Sequence, residues 1–540
     1  MKSEVRMHKR GIQVLVLIAI IALLISCANR GTPDGGPKDE EAPLITRSTP
    51  KNFSTNFKDK EIRIYFNEYV KIKNLQKQLI ISPPMDPEPT VTPQGTASKY
   101  IKIIINDTLD DNTTYAFNFG QSIVDNNEEN PYEYYRYVFS TGDYIDSLSV
   151  KGQILDAENR KPENFVSVML FEKDSTYTDS TVYKQKPKYI TNTLDSLTTF
   201  SIDNIKPGTY KLIALKDENG NFTFQQNSDK IGFYEGFISA PTDSLYTIKL
   251  FKEELNFDVK RPKQVAGEKI AFGYEGDYKT MEIELLGDKP EGFKSRISKK
   301  EKSDTLYYWY KPKIELDSAQ FIVRNKTFID TLNHKFRTID RDSLVVKMSS
   351  SSTLNFNDDF SISANIPLEK IDVKQITILD RDSLNVAFET TYSAFENTYS
   401  FQFEKEESES YKIQMLPNAF EDFFGNVNDT LNFASRTKAF ADYSNLRVTL
   451  RNVTYPVVVQ LTTDKGEVKY EKFAAEEQLF DFKNLDPGNY YLRVIVDTNG
   501  NKKWDSGNYL KQLQAERVSY FPEIIEARAN WDPVIEFILN

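Results

Sequence analysis

The 540-residue sequence is poor in the side chains on which most active sites depend. It contains one cysteine, Cys27, and two histidines, of which only His334 lies beyond the first 26 residues. Ser-His-Asp and Cys-His catalysis, and zinc sites that need several His or Cys ligands, therefore have too few residues to draw on. The sequence predicts a non-catalytic protein with no cofactor, and an enzymatic alternative would have to rest on carboxylates.

An excess of positive charge is also missing. The chain has 68 Lys and Arg against 79 Asp and Glu, which gives a formal net charge of −11 at pH 7. Binding to nucleic acid depends on cationic side chains that neutralise the phosphates. The composition therefore predicts no nucleic-acid partner.

Helical periodicity is sparse, whereas strand-forming residues are abundant. The sequence contains 36 Phe and 30 Tyr together with many Thr, Val and Ile, a mixture that suits half-buried pleated strands. The length exceeds what one hydrophobic core organises and corresponds to about four or five domains. An all-β, multi-domain chain is the resulting prediction.

The N-terminus has the pattern of a secretory signal peptide. Four basic residues precede an apolar run at residues 14–25, which is too short to span a bilayer. The run ends in Leu24-Ile25-Ser26-Cys27, which resembles the lipobox of bacterial lipoproteins. This resemblance implies that Cys27 is acylated and becomes the first residue after cleavage, so that lipid attaches the protein to a membrane. An uncleaved membrane anchor is the alternative.

Residues 27–41 are rich in Gly and Pro and predict a flexible, lipidated tether. Ala28, rather than Asp, follows the cysteine, and by resemblance to known sorting signals this favours the outer membrane. The acidic run at residues 39–41 resembles the export tag of Bacteroidota surface lipoproteins, although it lies farther from Cys27 than that tag usually does. The periplasmic and the surface face both remain open.

Short strand patterns separated by Pro, Gly and Asn-Asp clusters fill residues 42–145. The segments at residues 64–68, 114–115, 123–125 and 139–141 resemble a bacterial Ig-like domain of the S-layer-protein type. A weaker echo of the same pattern surrounds Tyr411 and residues 421–426. It predicts a second Ig-like unit.

Residues 204–212 and 484–492 share a strand, a Pro-Gly turn and a Tyr-x-Leu strand, and both continue into Asp-x-Asn-Gly-Asn at a fixed offset. This signature resembles prealbumin-like or carboxypeptidase-regulatory-like sandwiches. A fixed offset over such a stretch indicates a duplicated unit. Residues 251–345 are rich in strand patterns but match no signature.

The predicted architecture is a tandem array of Ig-like and prealbumin-like β-sandwich domains after a signal peptide and a flexible tether. The segments are residues 1–26 (signal peptide), 27–41 (tether), 42–145 (Ig-like), 146–250 (prealbumin-like), 251–345 (β-rich, unassigned), 346–442 (second Ig-like) and 443–540 (second prealbumin-like).

One candidate metal site lies in the second prealbumin-like unit. Asp497, Asn499, Asn501 and Asp505 place oxygen-bearing side chains at relative positions 1, 3, 5 and 9, a spacing that resembles a calcium loop. The glycine and the last ligand of that loop are out of place here. The alternative is a hairpin in which Asn-Gly takes left-handed turn geometry and Asp497 caps the loop.

Two further patterns carry alternative interpretations. The aromatic runs at residues 132–137 and 307–310 could stack on sugars, but alternation along a strand predicts core packing. Nine Asp-Ser/Thr-Leu triplets resemble the O-glycosylation sequon of exported Bacteroidota proteins; a turn followed by a strand is the structural alternative.

These observations favour a non-catalytic, outer-membrane lipoprotein that acts as a structural or interaction scaffold of the cell envelope. Its membrane partner is engaged through the N-terminal lipid, and its other partner is an envelope protein or a glycan. A carbohydrate-binding surface lipoprotein is the first alternative. A carboxylate-based hydrolase hidden in residues 251–345 is the second.

Overall fold

The computed structural model describes residues 39–194 and 198–539. The predicted signal peptide, Cys27 and most of the tether lie outside the described residues, as does the triplet at residues 195–197. Within these ranges strands dominate, and the helices are α1 (Leu75–Gln78) and three short 3-10 segments, Asp179–Tyr183, Val373–Gln375 and Phe440–Asp442. The all-β prediction is confirmed. No helix in the described ranges combines the length and the hydropathy that crossing a bilayer requires.

The first segment forms two facing sheets. Its strands are β1 (Ile45–Thr49), β2 (Glu61–Ile72), β3 (Ile80–Ser82), β4 (Thr90–Thr92), β5 (Ser98–Ile104), β6 (Thr114–Asn118), β7 (Ile123–Asp125) and β8 (Arg136–Ser140). One sheet has the order β1-β2-β5-β4, with β7 also on β2, and the other has the order β3-β6-β8. Alternation along β2 buries Ile62 and Ile64, whereas Arg63 points outward.

The next sandwich surrounds a core of aliphatic and aromatic side chains from Val150 to Leu250. Its strands are β9 (Leu148–Asp156), β10 (Ser167–Glu172), β11 (Tyr189–Asn192), β12 (Thr199–Ile205), β13 (Gly208–Lys216), β14 (Lys230–Phe233), β15 (Ile238–Ala240) and β16 (Leu245–Leu250). One sheet is β11-β10-β13-β14, with β15 also on β13; the other is β12-β9-β16, in which β9 and β16 run parallel.

Residues 251–345, which match no sequence signature, also form a filled sandwich. The strands are β17 (Asp258–Val259), β18 (Lys263–Ala266), β19 (Lys269–Glu275), β20 (Glu282–Leu285), β21 (Lys294–Lys299), β22 (Thr305–Lys311), β23 (Ser318–Asn325) and β24 (Phe328–Lys335). The sheets β17-β19-β22-β21 and β20-β23-β24 enclose Phe272, Tyr308 and Phe321, and β18 also pairs with β19.

The following segment repeats the strand order of the first. Its strands are β25 (Val346–Met348), β26 (Phe360–Ala364), β27 (Leu368–Ile371), β28 (Ile376–Leu379), β29 (Phe388–Ser393), β30 (Thr398–Phe403), β31 (Ser410–Met415), β32 (Phe420–Asp422) and β33 (Leu431–Arg436). The orders β25-β26-β30-β29, β27-β32 and β28-β31-β33 correspond to those of β1–β8, with the long β2 divided into β26 and β27.

Hydrogen bonds strengthen this correspondence between the two segments. The Tyr115 hydroxyl accepts from the backbone N–H of Asp110 at 2.9 Å, and the Tyr411 hydroxyl accepts from Glu406 at 2.8 Å. Each tyrosine lies five residues after its donor. The same local geometry therefore recurs at equivalent places in both segments.

The last segment repeats the strand order of the second. Its strands are β34 (Ser444–Arg451), β35 (Val457–Thr462), β36 (Val468–Ala474), β37 (Phe480–Leu485), β38 (Gly488–Val496), β39 (Val518–Tyr520), β40 (Ile525–Ala527) and β41 (Val534–Ile538). The sheets are β36-β35-β38-β39, with β40 also on β38, and β37-β34-β41, in which β34 and β41 run parallel. The prediction of β-sandwich repeats is confirmed.

Packing divides the chain into two compact units. Among the described residues, one unit consists of residues 39–80 together with Met85–Tyr144, and the other consists of Ile81–Pro84 together with residues 145–194 and 198–539. The second unit thus holds four sandwiches. We call Leu148–Phe251 the first copy and Ser444–Leu539 the second copy of this repeated sandwich.

Candidate interaction sites

The aspartate that begins the candidate calcium loop is fully buried and caps the turn. Its Oδ1 accepts hydrogen bonds from the N–H groups of Gly500 at 2.8 Å and Asn501 at 3.1 Å, and its Oδ2 accepts one from Lys502 at 2.8 Å. Three lone-pair sites of Asp497 are thereby committed to the backbone. This is the geometry of the hairpin alternative.

The other three candidate ligands lie in the same loop. Asn499 and Asn501 each donate an amide hydrogen to Oδ2 of Asp505 at 2.6 Å, and Lys503 Nζ lies 3.1 Å from Oδ1. Burial alone would raise the pKa of Asp505, but these hydrogen bonds and the ammonium outweigh it and hold the pKa below its usual value. The structure thus brings Asn499 and Asn501 together around the carboxylate of Asp505, whereas Asp497 caps the backbone of the same loop.

Across residues 39–194 and 198–539, no group of three or more His, Cys, Asp or Glu side chains is arranged to hold a metal ion. Calcium binding at Asp497, Asn499, Asn501 and Asp505 stays a prediction. Asp217 in the first copy repeats the capping geometry, since its carboxylate accepts from Gly220 N–H and Phe222 N–H, both at 2.7 Å.

The loop between β38 and β39 makes a contact that the sequence did not predict. We call residues 506–514 the docking arm. Its Tyr509 is fully buried, with its hydroxyl 3.1 Å from that of Tyr177 and its ring edge-on to Phe233 at 5.3 Å between centroids. The Tyr509 N–H donates to the carboxylate of Glu253. The arm of the second copy is therefore packed into the surface of the first.

A buried lysine lies beneath the docking arm. Lys211 is 2% exposed and donates to the carbonyl of Tyr234 at 2.9 Å and to Oε1 of Gln512 at 3.0 Å. Its ammonium also lies 5.2 Å from the ring centroid of Phe233. Burial lowers its pKa. On β13 this side chain points away from the core of the first copy, and the second copy covers it.

The copies also meet at a second place. The Tyr520 hydroxyl donates to the carbonyl oxygen of Glu158 at 2.7 Å, and the buried Arg493 guanidinium lies 3.8 Å from the Glu158 carboxylate. Arg493 in turn donates to Oε1 of Gln460 at 2.6 Å. Two separate groups of polar contacts therefore fix one copy against the other.

The aromatic run on β22 is buried on both faces of its sheet. Tyr308 and Tyr310 point into the sandwich core, as alternation predicts. Trp309 points the other way and is nevertheless only 2% exposed, because it packs with Ile366 and Phe423 of the following segment. Its indole N–H donates to Ser298 at 2.9 Å. The rings at residues 307–310 thus join two sandwiches.

The histidine outside the N-terminal region has a core environment. His334 is 4% exposed, contacts Phe321 and Phe336 edge-on, and has Nδ1 3.4 Å from the carbonyl oxygen of Pro262. Burial lowers its pKa, so the neutral imidazole is favoured.

Comparison with known proteins identifies one of these segments. Residues 39–141 match the bacterial Ig-like domain family. The match covers the segment for which the sequence pattern predicted this fold, and it gives no information about the family of the other segments. A search of curated proteins gives no match.

Solved structures give distant likenesses only. The surface layer protein SbsC, domains 1–6, is 11% identical, with 90% of this chain and 67% of that chain covered and a TM-score of 0.15. The Bacillus anthracis TIE protein is 11% identical over 94% and 75%, with a TM-score of 0.15. The Bacteroides ovatus mixed-linkage glucan utilization locus SGBP-B, in complex with a heptasaccharide, is 12% identical over 71% and 94%, with a TM-score of 0.17. Scores of this size carry no argument about this chain.

Proposed function

We propose that this protein is a non-catalytic lipoprotein of the outer membrane, anchored through Cys27, and that it acts as an interaction scaffold of the cell envelope. The signal-peptide pattern and the lipobox-like ending at Cys27 support the anchor. Residues 27–41 act as the tether between lipid and sandwiches. The partner is an envelope protein or a glycan.

The contact between the two prealbumin-like copies carries the scaffold proposal. Sandwiches that merely follow one another need no buried side chains between them, yet Lys211, Tyr509 and Trp309 are buried at contacts between sandwiches. Such contacts hold neighbouring domains in a fixed relation instead of leaving them free to move. A fixed relation suits a protein that presents loops and strand edges to a partner.

We also propose the domain division that the sequence predicts, in which residues 346–442 form a second Ig-like domain. The strand order of β25–β33 and the matching tyrosine hydrogen bonds support it. Residues 257–336 favour a scaffold over a hydrolase, because apolar side chains such as Phe272, Leu306 and Phe321 fill the sandwich interior. A carboxylate-based site needs a polar cleft for its substrate.

Fractionation of the native host tests the anchor. We expect the full chain in the outer-membrane fraction, with an intact mass that includes acyl groups, and Cys27→Ser released into the soluble fraction. Asn29→Ser, two residues away in the tether, should fractionate like the wild type. A wild-type chain that is soluble and unacylated would contradict the anchor.

Crosslinking of intact envelopes followed by affinity purification tests the scaffold. We expect a defined set of envelope proteins or glycans to copurify with the wild type and not with an unrelated lipoprotein of similar abundance. Equal recovery with both baits would contradict the proposal.

A further inference from the structure

The sheet of the N-terminal Ig-like segment has an outer face whose chemistry differs from the rest of this acidic chain. Strand pairing aligns Arg47, Tyr65 and Tyr100 in one row across β1, β2 and β5, and places Arg63 opposite Lys102 in the next row. We call these five residues the basic-aromatic face. On β2 and β5 the buried Ile62, Ile64, Ile101 and Ile103 alternate with Arg63, Tyr65, Tyr100 and Lys102, so alternation directs these four side chains away from the core. Arg47 shares their face because its guanidinium lies over the Tyr65 ring.

Cations and rings on this face hold one another in place. The Arg47 guanidinium lies 3.8 Å above the centroid of the Tyr65 ring, and Tyr65 lies 5.7 Å from Tyr100. Arg63 is 5.7 Å from the centroid of Tyr100 and forms an ion pair with Glu61. The Tyr100 side chain is nevertheless 39% exposed. The Tyr100 ring, which is held by Arg63 and Tyr65 and is partly open to solvent, is preorganised for stacking.

A shallow pocket of about 420 Å³ adjoins Tyr100. The polar side chains that line it are those of Thr90, Thr92, Gln94, Thr96 and Ser98. Hydroxyl groups both donate and accept hydrogen bonds, and an amide does the same with separate atoms. The pocket wall therefore offers closely spaced, two-way hydrogen bonding beside an aromatic surface.

We propose that the basic-aromatic face and its pocket bind an acidic polysaccharide. The open face of Tyr100 stacks on the C–H face of a sugar ring, the hydroxyl-rich wall pairs with sugar hydroxyls, and Arg63 and Lys102 pair with carboxylates of the polymer. Charge complementarity favours an acidic polymer, because Arg47, Arg63 and Lys102 share this face and, among the described residues, only the Glu61 carboxylate is paired with one of them, Arg63. The inference rests on the proposed scaffold function, for which it names the class of glycan partner, and it does not depend on Cys27.

Nucleic acid and a lipid surface fit this face less well. Tight nucleic-acid binding requires neutralisation of many phosphates along the backbone, and the face offers three cations, one of them already paired with Glu61. Docking on a lipid surface calls for protruding apolar side chains, whereas the pocket beside Tyr100 is lined by hydroxyl and amide groups.

The test measures binding of the full chain in detergent to polygalacturonate, alginate and hyaluronate, with neutral dextran as the uncharged comparison. We expect at least one acidic polymer to bind, dextran to bind far more weakly, and high salt to weaken the acidic complex because it screens exposed charges. Tyr100→Ala should raise the Kd about fivefold through loss of stacking. Arg63→Ala should raise it by a similar factor and reduce the salt dependence.

Two matched variants serve as controls. Tyr134→Ala removes another exposed tyrosine of the same segment, 44% exposed, and Arg324→Ala removes an arginine that is paired with Glu284 much as Arg63 is paired with Glu61. Both should leave the Kd unchanged. Failure of all three acidic polymers to bind, an unchanged Kd for Tyr100→Ala, or equally tight binding to single-stranded DNA or to phosphatidylglycerol vesicles would each overturn the inference. Membrane fractionation of Cys27→Ser is independent of these outcomes.

Discussion

The two copies of the repeated sandwich have similar cores but use their surfaces differently. In each, a buried tyrosine after the Pro-Gly turn donates back to the chain, Tyr210 to Lys206 at 2.9 Å and Tyr490 to Asp486 at 2.7 Å. The loop that follows runs from Asp217 to Asp229 in the first copy, whereas in the second it extends from Asp497 to Arg517 and contains the docking arm. The two copies thus fill their interiors with similar residues, whereas the longer loop of the second copy makes a specific contact with the first.

Removing the central ring of the docking arm should have the largest effect. Tyr509 is fully buried against the first copy, and truncation of a buried aromatic side chain costs about 3–5 kcal/mol. We expect Tyr509→Ala to weaken the contact between copies while both cores remain folded. Hydrogen exchange should show faster exchange around Phe233 and Glu253.

Leu510→Ala is the matched control, because that neighbouring side chain is 55% exposed. It should leave exchange rates unchanged. Equal effects of the two substitutions would mean that Tyr509 is not the residue that joins the copies.

A glycine distinguishes the two cores. Gly152 on β9 pairs with Tyr246 on one side and with Phe200 on the other. A Cβ at this position would lie 2.0 Å from the Tyr246 carbonyl oxygen and 2.7 Å from the Phe200 ring. The second copy carries Val448 at the matching place, opposite Phe480. We expect Gly152→Ala to destabilise the first copy by about 2–3 kcal/mol through overpacking. Calorimetry should show the loss.

Gly273→Ala is the comparison for that measurement, because a Cβ there meets only contacts of 3.5 Å or longer. Its effect should be smaller. If Gly152→Ala left the free energy of unfolding unchanged, β9 and β16 would have to move apart at no cost in stability.

The tyrosine hydrogen bonds test how alike the copies are. Tyr210→Phe and Tyr490→Phe should each cost about 1 kcal/mol, since each leaves a carbonyl acceptor unpaired. Burial raises the pKa of Tyr210 to about 12, whereas an unfolded tyrosine ionises near pH 10. The stability that this difference supplies is present below about pH 10 and is lost as the pH rises through the folded value of about 12.

Urea unfolding at neutral and at high pH measures both effects. Tyr210→Phe should lose less stability between these conditions than the wild type does. Equal losses would show that the Tyr210 phenol does not titrate with unfolding.

Calcium should have the smallest effect. Because the Asp497 carboxylate accepts three backbone N–H groups, we expect millimolar calcium chloride to shift the melting temperature by less than about 1 °C. Magnesium chloride at the same concentration controls for ionic strength. A rise in melting temperature that calcium alone produces and that Asp505→Asn abolishes would instead establish calcium binding. It would also distinguish the second copy from the first, which has Gln225 at the position of Asp505.

Local pattern was enough to predict the all-β fold, the Ig-like segment and the duplicated sandwich, because alternation and turn residues are encoded within each strand. Contacts between distant segments have no such local record. Lys211 follows Tyr210 on a strand and alternation predicts a solvent-exposed side chain, whereas a loop 301 residues away covers it. Trp309 is missed in the same way, since its covering residues belong to the next sandwich.

The candidate site was predictable in position but not in chemistry. Asp, Asn and Gly at these spacings are compatible with a cation-binding loop and with a capped hairpin. Only the directions of the backbone N–H groups around Asp497 distinguish the two structures. The basic-aromatic face needed the register of three strands, which sequence alone does not fix. Cys27 lies outside the described residues, and its acylation stays a prediction.

The bond between the hydroxyls of Tyr177 and Tyr509 joins residues that are 332 positions apart. Closing so long a stretch of chain is slow and entropically unfavourable, so this bond belongs to the last steps of assembly. Until the docking arm has been synthesised and has bound to the first copy, Phe233 and Lys211 are exposed to solvent. A newly made chain therefore passes through a stage in which this apolar surface is open to solvent, and transiently exposed surface of this kind promotes aggregation.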